Sequence, residues 1–318
     1  MFGLYEEAEK ISILGFDVYR FGFFVMLGLT AAAGVIAFLC WAKRVRKGTA
    51  PVLLALALVL GGLFSRLFFC LLNTELGAMM PFGSWLRFTG GGWSMMGLVG
   101  GVMLAAWLTA VLTRQKAGLM LDITSCALLP FMVLERVGEG SVPEFDYSRR
   151  LSATFLNNTF LTFSDYDGYY LYTWKVTAIV MLILFPILIF DLTRSKKDGD
   201  TCILFLLLFG GCSILLESLR YDQFLTVRTF IGLQHIAAAV LLAIGVIILA
   251  ARAGKRQKNL AIAAVISVAA MVGIAVGLEF ALDRTDFNTI LLYTAYVLVV
   301  AVPVVLGLML RKNEKKPV

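Results

Sequence analysis

The chain has 318 residues, of which 60% are hydrophobic and 15% charged, with a mean hydropathy of +0.87 and a formal net charge of +7. Soluble domains average about 45–50% apolar and about 25% charged residues, so this composition excludes an ordinary soluble protein and indicates a polytopic membrane protein. We attribute the positive charge to cytoplasmic loops and predict no nucleic-acid partner.

Runs of about 20 apolar residues, long enough to cross a bilayer as helices, recur along the chain. We predict nine such helices, at 18–42, 51–73, 94–113, 119–137, 172–193, 202–219, 229–251, 260–282 and 289–310. The fourth is the weakest because it contains Asp122, Pro130 and Glu135, and a kinked or partly re-entrant segment is the alternative there. The predicted fold class is all-α, a polytopic transmembrane helical bundle of about nine helices.

The distribution of basic residues predicts the orientation of the chain in the membrane. More than half of the lysines and arginines lie in the alternate loops 43–50, 114–118, 194–201, 252–259 and 311–318. The positive-inside rule places these loops in the cytoplasm, with the N-terminus outside and the C-terminus inside. We further divide the chain into a seven-helix core, residues 1–256, and two additional helices, residues 257–318, in which we predict no buried charge.

The second predicted helix contains a charged residue deep in its apolar run PVLLALALVLGGLFSRLFFCLL. Arg66 lies about two turns inside the end of this helix. Arginine at a helix centre costs about 2.5–3.5 kcal/mol on insertion scales, so we expect Arg66 to face the protein interior and hold a negative group. The alternative is that its side chain snorkels to the membrane interface.

A glycine-rich segment, FTGGGWSMMGLVGG at 88–101, leads into the third helix. Consecutive glycines let the backbone approach a ligand closely, and the N–H groups at a helix N-terminus favour anions. The alternative is a packing role, because Gly97 and Gly101 form a GxxxG pair of the kind that brings membrane helices together. Both interpretations stay open on the residues alone.

Charged residues recur at the outward ends of two later helices. The segment ERVGEGSVPEF places Arg136, Glu139 and Glu144 where the fourth helix leaves the membrane, although charged helix ends are ordinary. In FGGCSILLESLRYDQF, Glu217 and Arg220 are three residues apart on one helix face and can pair. Cations in the outer-leaflet half of a membrane protein indicate an anionic ligand, and phospholipid headgroups are the nearest anions.

Four segments, in this order, resemble the motifs of the prolipoprotein diacylglyceryl transferase family. GGLFSRLFFCLLN at 61–73 is similar to the family's GGRLGYVLFYN-type segment, GGWSMMGLVGG to its GGMSFHGGLLGG, and ERVGEGSVPE to its GRIGNFINGE. FGGCSILLESLR and the later IGLQ resemble YGLFRFIVEFFR and SMGQ, and Arg20-Phe21-Gly22 resembles WYG. The resemblance covers roughly residues 18–252 and implies a multi-pass protein of the bacterial plasma (inner) membrane.

The chain matches some of the family's motif residues and replaces others. The matching residues are Arg66, Arg136, Gly138, Glu144, Glu217, Arg220 and Gln234. The replaced residues are the family's histidine (Met96 here), the signature asparagine (Glu139), the first arginine of RxxxExxR (Ser213), the tyrosine of WYG (Phe21) and the glutamate of QLYE (Thr173).

The resemblance implies transfer of a diacylglyceryl group from phosphatidylglycerol to the lipobox cysteine thiol of a preprolipoprotein, with release of glycerol 1-phosphate. It implies no metal and no nucleotide cofactor, and its partners are phosphatidylglycerol, the preprolipoprotein and membrane lipid. Arginine binds phosphate bidentately, and a carboxylate in a desolvated site can act as a base. The implied catalytic residues are Arg136, Glu144, Glu217 and Arg220, and the substrate-binding residues are Arg66, Gly91, Gly92, Met96, Gly97, Gly138, Glu139 and Gln234.

Two other functions stay open at this level. The replaced residues favour a catalytically altered or inactive homologue that binds phospholipid or lipoprotein in the outer leaflet. A small transporter or channel is the other alternative, although such proteins usually show inverted repeats or broken helices, and the sequence has neither. The one histidine, His235, is predicted to be a packed or hydrogen-bonding residue rather than the base.

Overall fold

The computed structural model describes residues 10–13, 16–72, 92–140, 148, 156–166, 168–195, 197–220, 226–227, 231–253, 257–285 and 287–314. Within these ranges, nine helices are long and apolar enough to cross a membrane, which confirms the predicted all-α polytopic bundle. They are α1 (Arg20–Ala42), α2 (Thr49–Leu72), α3 (Met95–Thr113), α4 (Ala117–Glu139), α5 (Thr173–Arg194), α6 (Asp200–Leu219), α7 (Leu233–Arg252), α8 (Lys258–Arg284) and α9 (Thr289–Glu314). The sides of the membrane on which the termini lie stay a prediction.

Three short antiparallel hairpins, which the sequence did not predict, precede three of the helices. They pair β1 (Lys10–Ile13) with β2 (Phe16–Tyr19), β3 (Thr162–Asp165) with β4 (Gly168–Leu171), and β5 (Thr226–Val227) with β6 (Ile231–Gly232). β2 ends directly before α1, and β6 ends directly before α7. β4 ends just before α5. Each hairpin therefore sets the entry of the chain into a membrane-crossing helix.

The fourth helix, for which a re-entrant segment was the alternative, is continuous for 23 residues and passes through Pro130. Its Asp122 is 2% exposed and accepts hydrogen bonds from the backbone N–H groups of Gly199 and Cys202, both at 2.7 Å. These N–H groups belong to the start of α6, where they lack intrahelical partners and where the helix dipole favours a negative charge. The buried carboxylate is compensated in this way and caps a neighbouring helix.

Two compact units make up the chain. The first comprises Met1–Phe145 and Thr177–Cys202, and in it α2 packs along α3 and α1 packs along α4. A Cβ atom added to Gly101 would lie 2.3 Å from the carbonyl oxygen of Leu60, and one on Gly97 would lie 2.5 Å from that of Phe64. The GxxxG pair therefore brings the backbones of α2 and α3 into contact, as its packing interpretation predicted.

The second unit comprises Asp146–Val176 and Ile203–Val318, and in it α7, α8 and α9 pack against one another. Gly210 of α6 packs closely on α7, since an added Cβ would lie 2.8 Å from the backbone nitrogen of Leu242. The prediction that the last two helices hold no buried charge is wrong. Glu279 of α8 is 2% exposed and Arg311 of α9 is 8% exposed. The proposed boundary near residue 256 stays a prediction.

Candidate functional site

Arg66 lies inside the first unit, six residues before the end of α2. It is 2% exposed, so the snorkelling alternative is wrong for this residue. Its Nη1 donates a hydrogen bond of 2.9 Å to the carbonyl oxygen of Gly92, and its guanidinium lies over the ring of Phe69, 5.7 Å from the centroid. A carbonyl oxygen and an aromatic face both stabilise a cation. The positive charge is therefore held in a fixed place beside the glycine-rich segment.

The glycine-rich segment is joined to α2 at several points. Gly92 has φ +75°, and an added Cβ would lie 2.3 Å from the Phe69 ring and 2.8 Å from Nη1 of Arg66, so only glycine fits there. Ser65 Oγ donates to the carbonyl of Ser94 at 2.8 Å, and the Ser94 N–H donates to the carbonyl of Ser65 at 3.1 Å. These bonds fix the segment's position relative to Arg66.

The start of α3 is ordered by a side-chain cap. Ser94 is its N-cap residue, and its Oγ accepts a hydrogen bond of 3.2 Å from the backbone N–H of Gly97. Met96, which replaces the family's histidine, is 7% exposed and lies in the first turn. An apolar thioether at this buried position cannot take a proton as an imidazole can. Gly91 lies outside the described residues.

The end of α4 holds the second buried arginine. Arg136 is 7% exposed, its Nη1 is ion-paired with Oε2 of Glu139, and its Nε lies 3.3 Å from Oε2 of Glu135. Two carboxylates thus flank one guanidinium. Because Glu135 and Glu139 stand where the quoted family segment has glycine and asparagine, this part of the site has two more acidic residues than the family pattern implies.

Gly138 holds the same end of α4 against the start of α1. A Cβ added to Gly138 would lie 3.0 Å from Cβ of Phe24 and 3.2 Å from the carbonyl oxygen of Phe21. The segment that resembles the family's WYG therefore packs on the segment that resembles its signature motif. Glu144, the other predicted member of that motif, lies outside the described residues.

In the second unit, the predicted residues Glu217 and Arg220 lie at the end of α6. Arg220 follows the last helical residue, and its backbone N–H donates to the carbonyl of Glu217 at 3.1 Å. Arg220 also forms an isolated antiparallel bridge with Ser148. The side-chain pair between Glu217 and Arg220 stays a prediction.

At the start of α7, Gln234 is partly buried and His235 is 7% exposed. His235 Nε2 lies 3.4 Å from Oε1 of Glu279 on α8. This contact was not predicted, although a carboxylate within an apolar helix is in itself a signal of function. Tyr293 of α9 was missed as well; its hydroxyl donates a 2.9 Å hydrogen bond to the carbonyl of Ser218, next to Glu217.

The structure thus places the described residues of the prediction in three parts of the molecule. They lie where α2 meets α3, where α4 meets α1 and, within the second unit, at the end of α6 and the start of α7. That all of them line one cavity stays a prediction. A cavity of about 480 Å³ at the far end of α7, between Ala250, Lys258 and apolar residues of α8, contains none of them.

Comparison with known proteins supplies the family. No curated protein matches this sequence. The family model for prolipoprotein diacylglyceryl transferase matches residues 9–253, which is more than half of the chain and contains every predicted motif. The family acts on lipoprotein precursors and phospholipid, and it is a family of transferases. The chain therefore belongs to the prolipoprotein diacylglyceryl transferase family.

Proposed function

We propose that this protein transfers the diacylglyceryl group of phosphatidylglycerol to the lipobox cysteine thiol of a preprolipoprotein. In this reaction the sulfur forms a bond to the glyceryl carbon that carries the phosphate ester. The bond from that carbon to the phosphate oxygen breaks, and glycerol 1-phosphate leaves with the electron pair. The thiol loses its proton to a base. The site therefore has to bind a phosphate, stabilise it as its charge grows, and accept a proton.

The observation that carries the proposal is the position of Arg66 in a chain of this family. Arg66 is 2% exposed and is held by the Gly92 carbonyl and the Phe69 ring. A guanidinium binds phosphate oxygens through a planar fork and keeps its charge even when buried. Its contacts hold the fork in place before a ligand arrives, so little reorganisation is needed as negative charge develops on the leaving phosphate.

Arg136 and Arg220 are the other proposed phosphate ligands, and Glu217 and Glu144 are the carboxylates the sequence predicts as bases. Gly91, Gly92, Met96, Gly97, Gly138, Glu139 and Gln234 complete the predicted substrate site. With the N-terminus outside, all of these residues lie toward the outer leaflet of the bacterial inner membrane, the side on which we place the reaction. Both substrates reach such a site within the membrane.

One observation favours a second candidate function, in which the protein binds phospholipid or lipoprotein but transfers poorly. Arg136 is ion-paired with Glu139 and lies 3.3 Å from Glu135, so carboxylates already occupy the positions that phosphate oxygens would take. Met96 also removes the family's histidine. The other arginines would still bind a headgroup, while transfer would lack the histidine and the full charge of Arg136 at the leaving phosphate.

A direct assay tests the first function. Purified protein in detergent is given phosphatidylglycerol labelled in its acyl chains and a synthetic lipobox peptide, and the thioether product is separated by mass. A peptide with serine in place of the lipobox cysteine is the matched control, since its hydroxyl is a far weaker nucleophile. Product formed with the cysteine peptide, and none with the serine peptide, supports transfer. Absence of product, while an active member of the family works under the same conditions, would refute it.

The second function predicts a different result from the same preparation. Phosphatidylglycerol should then bind, measured by retention of labelled lipid on immobilised protein, while no thioether forms. Phosphatidylcholine, whose headgroup is zwitterionic, is the comparison lipid. Equal retention of both lipids would contradict a site built around headgroup recognition.

A further inference from the structure

A buried histidine and a buried carboxylate meet in the second unit. His235 Nε2 at the start of α7 lies 3.4 Å from Glu279 Oε1 near the end of α8, and the two residues are 7% and 2% exposed. Within the described chain, Glu279 is the one charged group at ion-pair distance from His235. Ionisable side chains in membrane-crossing helices are costly and mark functional positions more often than structural ones.

The same place contains polar atoms whose hydrogen-bonding capacity is unused. Both ring nitrogens of His235 and Oε1 of Gln234 are buried and have no hydrogen-bond partner among the described residues. Most buried polar atoms in folded proteins have a partner, and those that do not require an explanation. These adjacent polar atoms, two of them on a nine-tenths buried side chain, indicate a ligand that forms hydrogen bonds with them.

The last two helices contact segments that the family model covers. Glu279 of α8 reaches His235, which follows the family-matching Gln234, and Tyr293 of α9 donates to the Ser218 carbonyl beside Glu217. Glu279 and Tyr293 both lie beyond residue 253, where the family match ends. This helical pair therefore adds side chains to two segments that carry family motifs.

We propose that His235 is the base that removes the proton from the acceptor thiol, and that Glu279 is the residue that positions it. In the tautomer that carries its hydrogen on Nε2, the atom 3.4 Å from the Glu279 carboxylate, Nδ1 has the lone pair that accepts a proton. The carboxylate then stabilises the imidazolium that forms, as in other carboxylate–histidine pairs. This inference rests on the proposed transferase function and assigns to His235 the role left open by Met96.

The step balances in atoms and charge. The thiol proton moves to His235 Nδ1, the sulfur forms its bond to the glyceryl carbon, and the carbon–oxygen bond to phosphate breaks with its electron pair on the leaving oxygen. The imidazolium returns its proton to the departing glycerol 1-phosphate. General acid–base assistance of this kind contributes about 100- to 10,000-fold to a rate.

The test uses the full chain in detergent with labelled phosphatidylglycerol and the lipobox peptide. His235→Asn should lower kcat by at least about 100-fold because an amide cannot accept the proton. Retention of labelled phosphatidylglycerol should stay within twofold of the wild-type value. His235→Ala should be inactive and regain part of its activity when free imidazole is added. Thermal unfolding of each variant reports separately on folding.

Glu279→Gln tests the positioning role. It should lower kcat because the imidazolium loses its stabilising carboxylate, and Glu279→Asp, which keeps a carboxylate, should regain part of the rate. Asp283→Asn makes the same change at an exposed carboxylate of α8, paired with Arg284, and is the control that should leave kcat unchanged.

The outcomes separate this inference from the proposed function. Absence of thioether product with the wild-type chain refutes the transferase function itself. An active wild type with His235→Asn and His235→Ala equally active refutes the base assignment alone. A kcat of Glu279→Gln equal to that of the Asp283→Asn control refutes the positioning role.

Discussion

The two buried arginines in the described part of the first unit have different contacts. Arg66 contacts a backbone carbonyl and an aromatic ring, whereas Arg136 lies between the carboxylates of Glu135 and Glu139. A carbonyl and an aromatic ring orient a cation, whereas carboxylates also offset its charge. Arg136 therefore has to exchange a partner before it can bind an anion, while the contacts of Arg66 hold it beside the glycine-rich segment.

The largest effect is expected from Arg136→Ala. This change leaves two carboxylates close together without their cation, and breaking a buried pair in this way costs about 3–5 kcal/mol of stability. Thermal unfolding in detergent should show a large decrease in Tm, and thioether formation should be abolished. Full activity of this variant would contradict the phosphate role. Combining it with Glu139→Ala should restore part of the stability and none of the activity.

Arg66→Met removes the other cation and keeps the length of the side chain. Loss of one preorganised group that stabilises developing charge lowers kcat about 100- to 1,000-fold, and we expect a decrease of that size. Arg66→Lys keeps the charge without the planar fork and should be intermediate. Steady-state rates of thioether formation check both variants. If Arg66→Met were as active as the wild type, Arg66 would be a structural residue only.

Gly101→Ala tests the helix contact that supports the Arg66 arrangement. The added methyl group would lie 2.3 Å from the Leu60 carbonyl oxygen, and overpacking of this kind costs about 1–3 kcal/mol. Gly100→Ala is the matched control, because no heavy atom lies within 4 Å of its added Cβ. Thermal unfolding should show a lower Tm for Gly101→Ala alone. A similar decrease in both variants would show that the contact with Leu60 is not the cause of the effect.

Glu139→Asn restores the family's residue and removes one carboxylate from Arg136. We expect phosphatidylglycerol to be retained more strongly, by about tenfold, equivalent to about 1.4 kcal/mol. Asp198→Asn makes the same change of charge in an exposed pair with Lys116, in which Nζ and Oδ2 are 2.8 Å apart, and should have no effect on binding. Weaker retention by Glu139→Asn would show that the carboxylate contributes to the site.

Much of the fold follows from local sequence. Each membrane-crossing helix depends on its own apolar run, so α1 to α9 were predicted with boundaries close to those observed. The packing of Gly97 and Gly101 was one of two interpretations, because small residues at this spacing suit both close helix contact and ligand approach. The pairing of Arg136 with Glu139 could have been predicted, since residues three apart share a helix face.

Other features depend on residues far apart in the chain. Asp122 weakened the prediction of the fourth helix because the residue that would compensate its charge could not be identified. Its partners are backbone N–H groups of Gly199 and Cys202, which local sequence does not assign to it. Glu279 is likewise a carboxylate in an apolar helix whose partner is distant in the sequence. Only the packing of α8 against α7 brings it to His235.

The sequence by itself determined the class of protein, the number of membrane-crossing helices and the family, because apolar length and motif order are local properties of the chain. The tertiary structure decided which distant groups contact a buried arginine, such as the Gly92 carbonyl that accepts a hydrogen bond from Arg66. It also brought His235 within 3.4 Å of Glu279, which lies 44 residues further along the chain. Contacts of this kind depend on how helices pack, and helical periodicity does not encode the partner of a buried side chain.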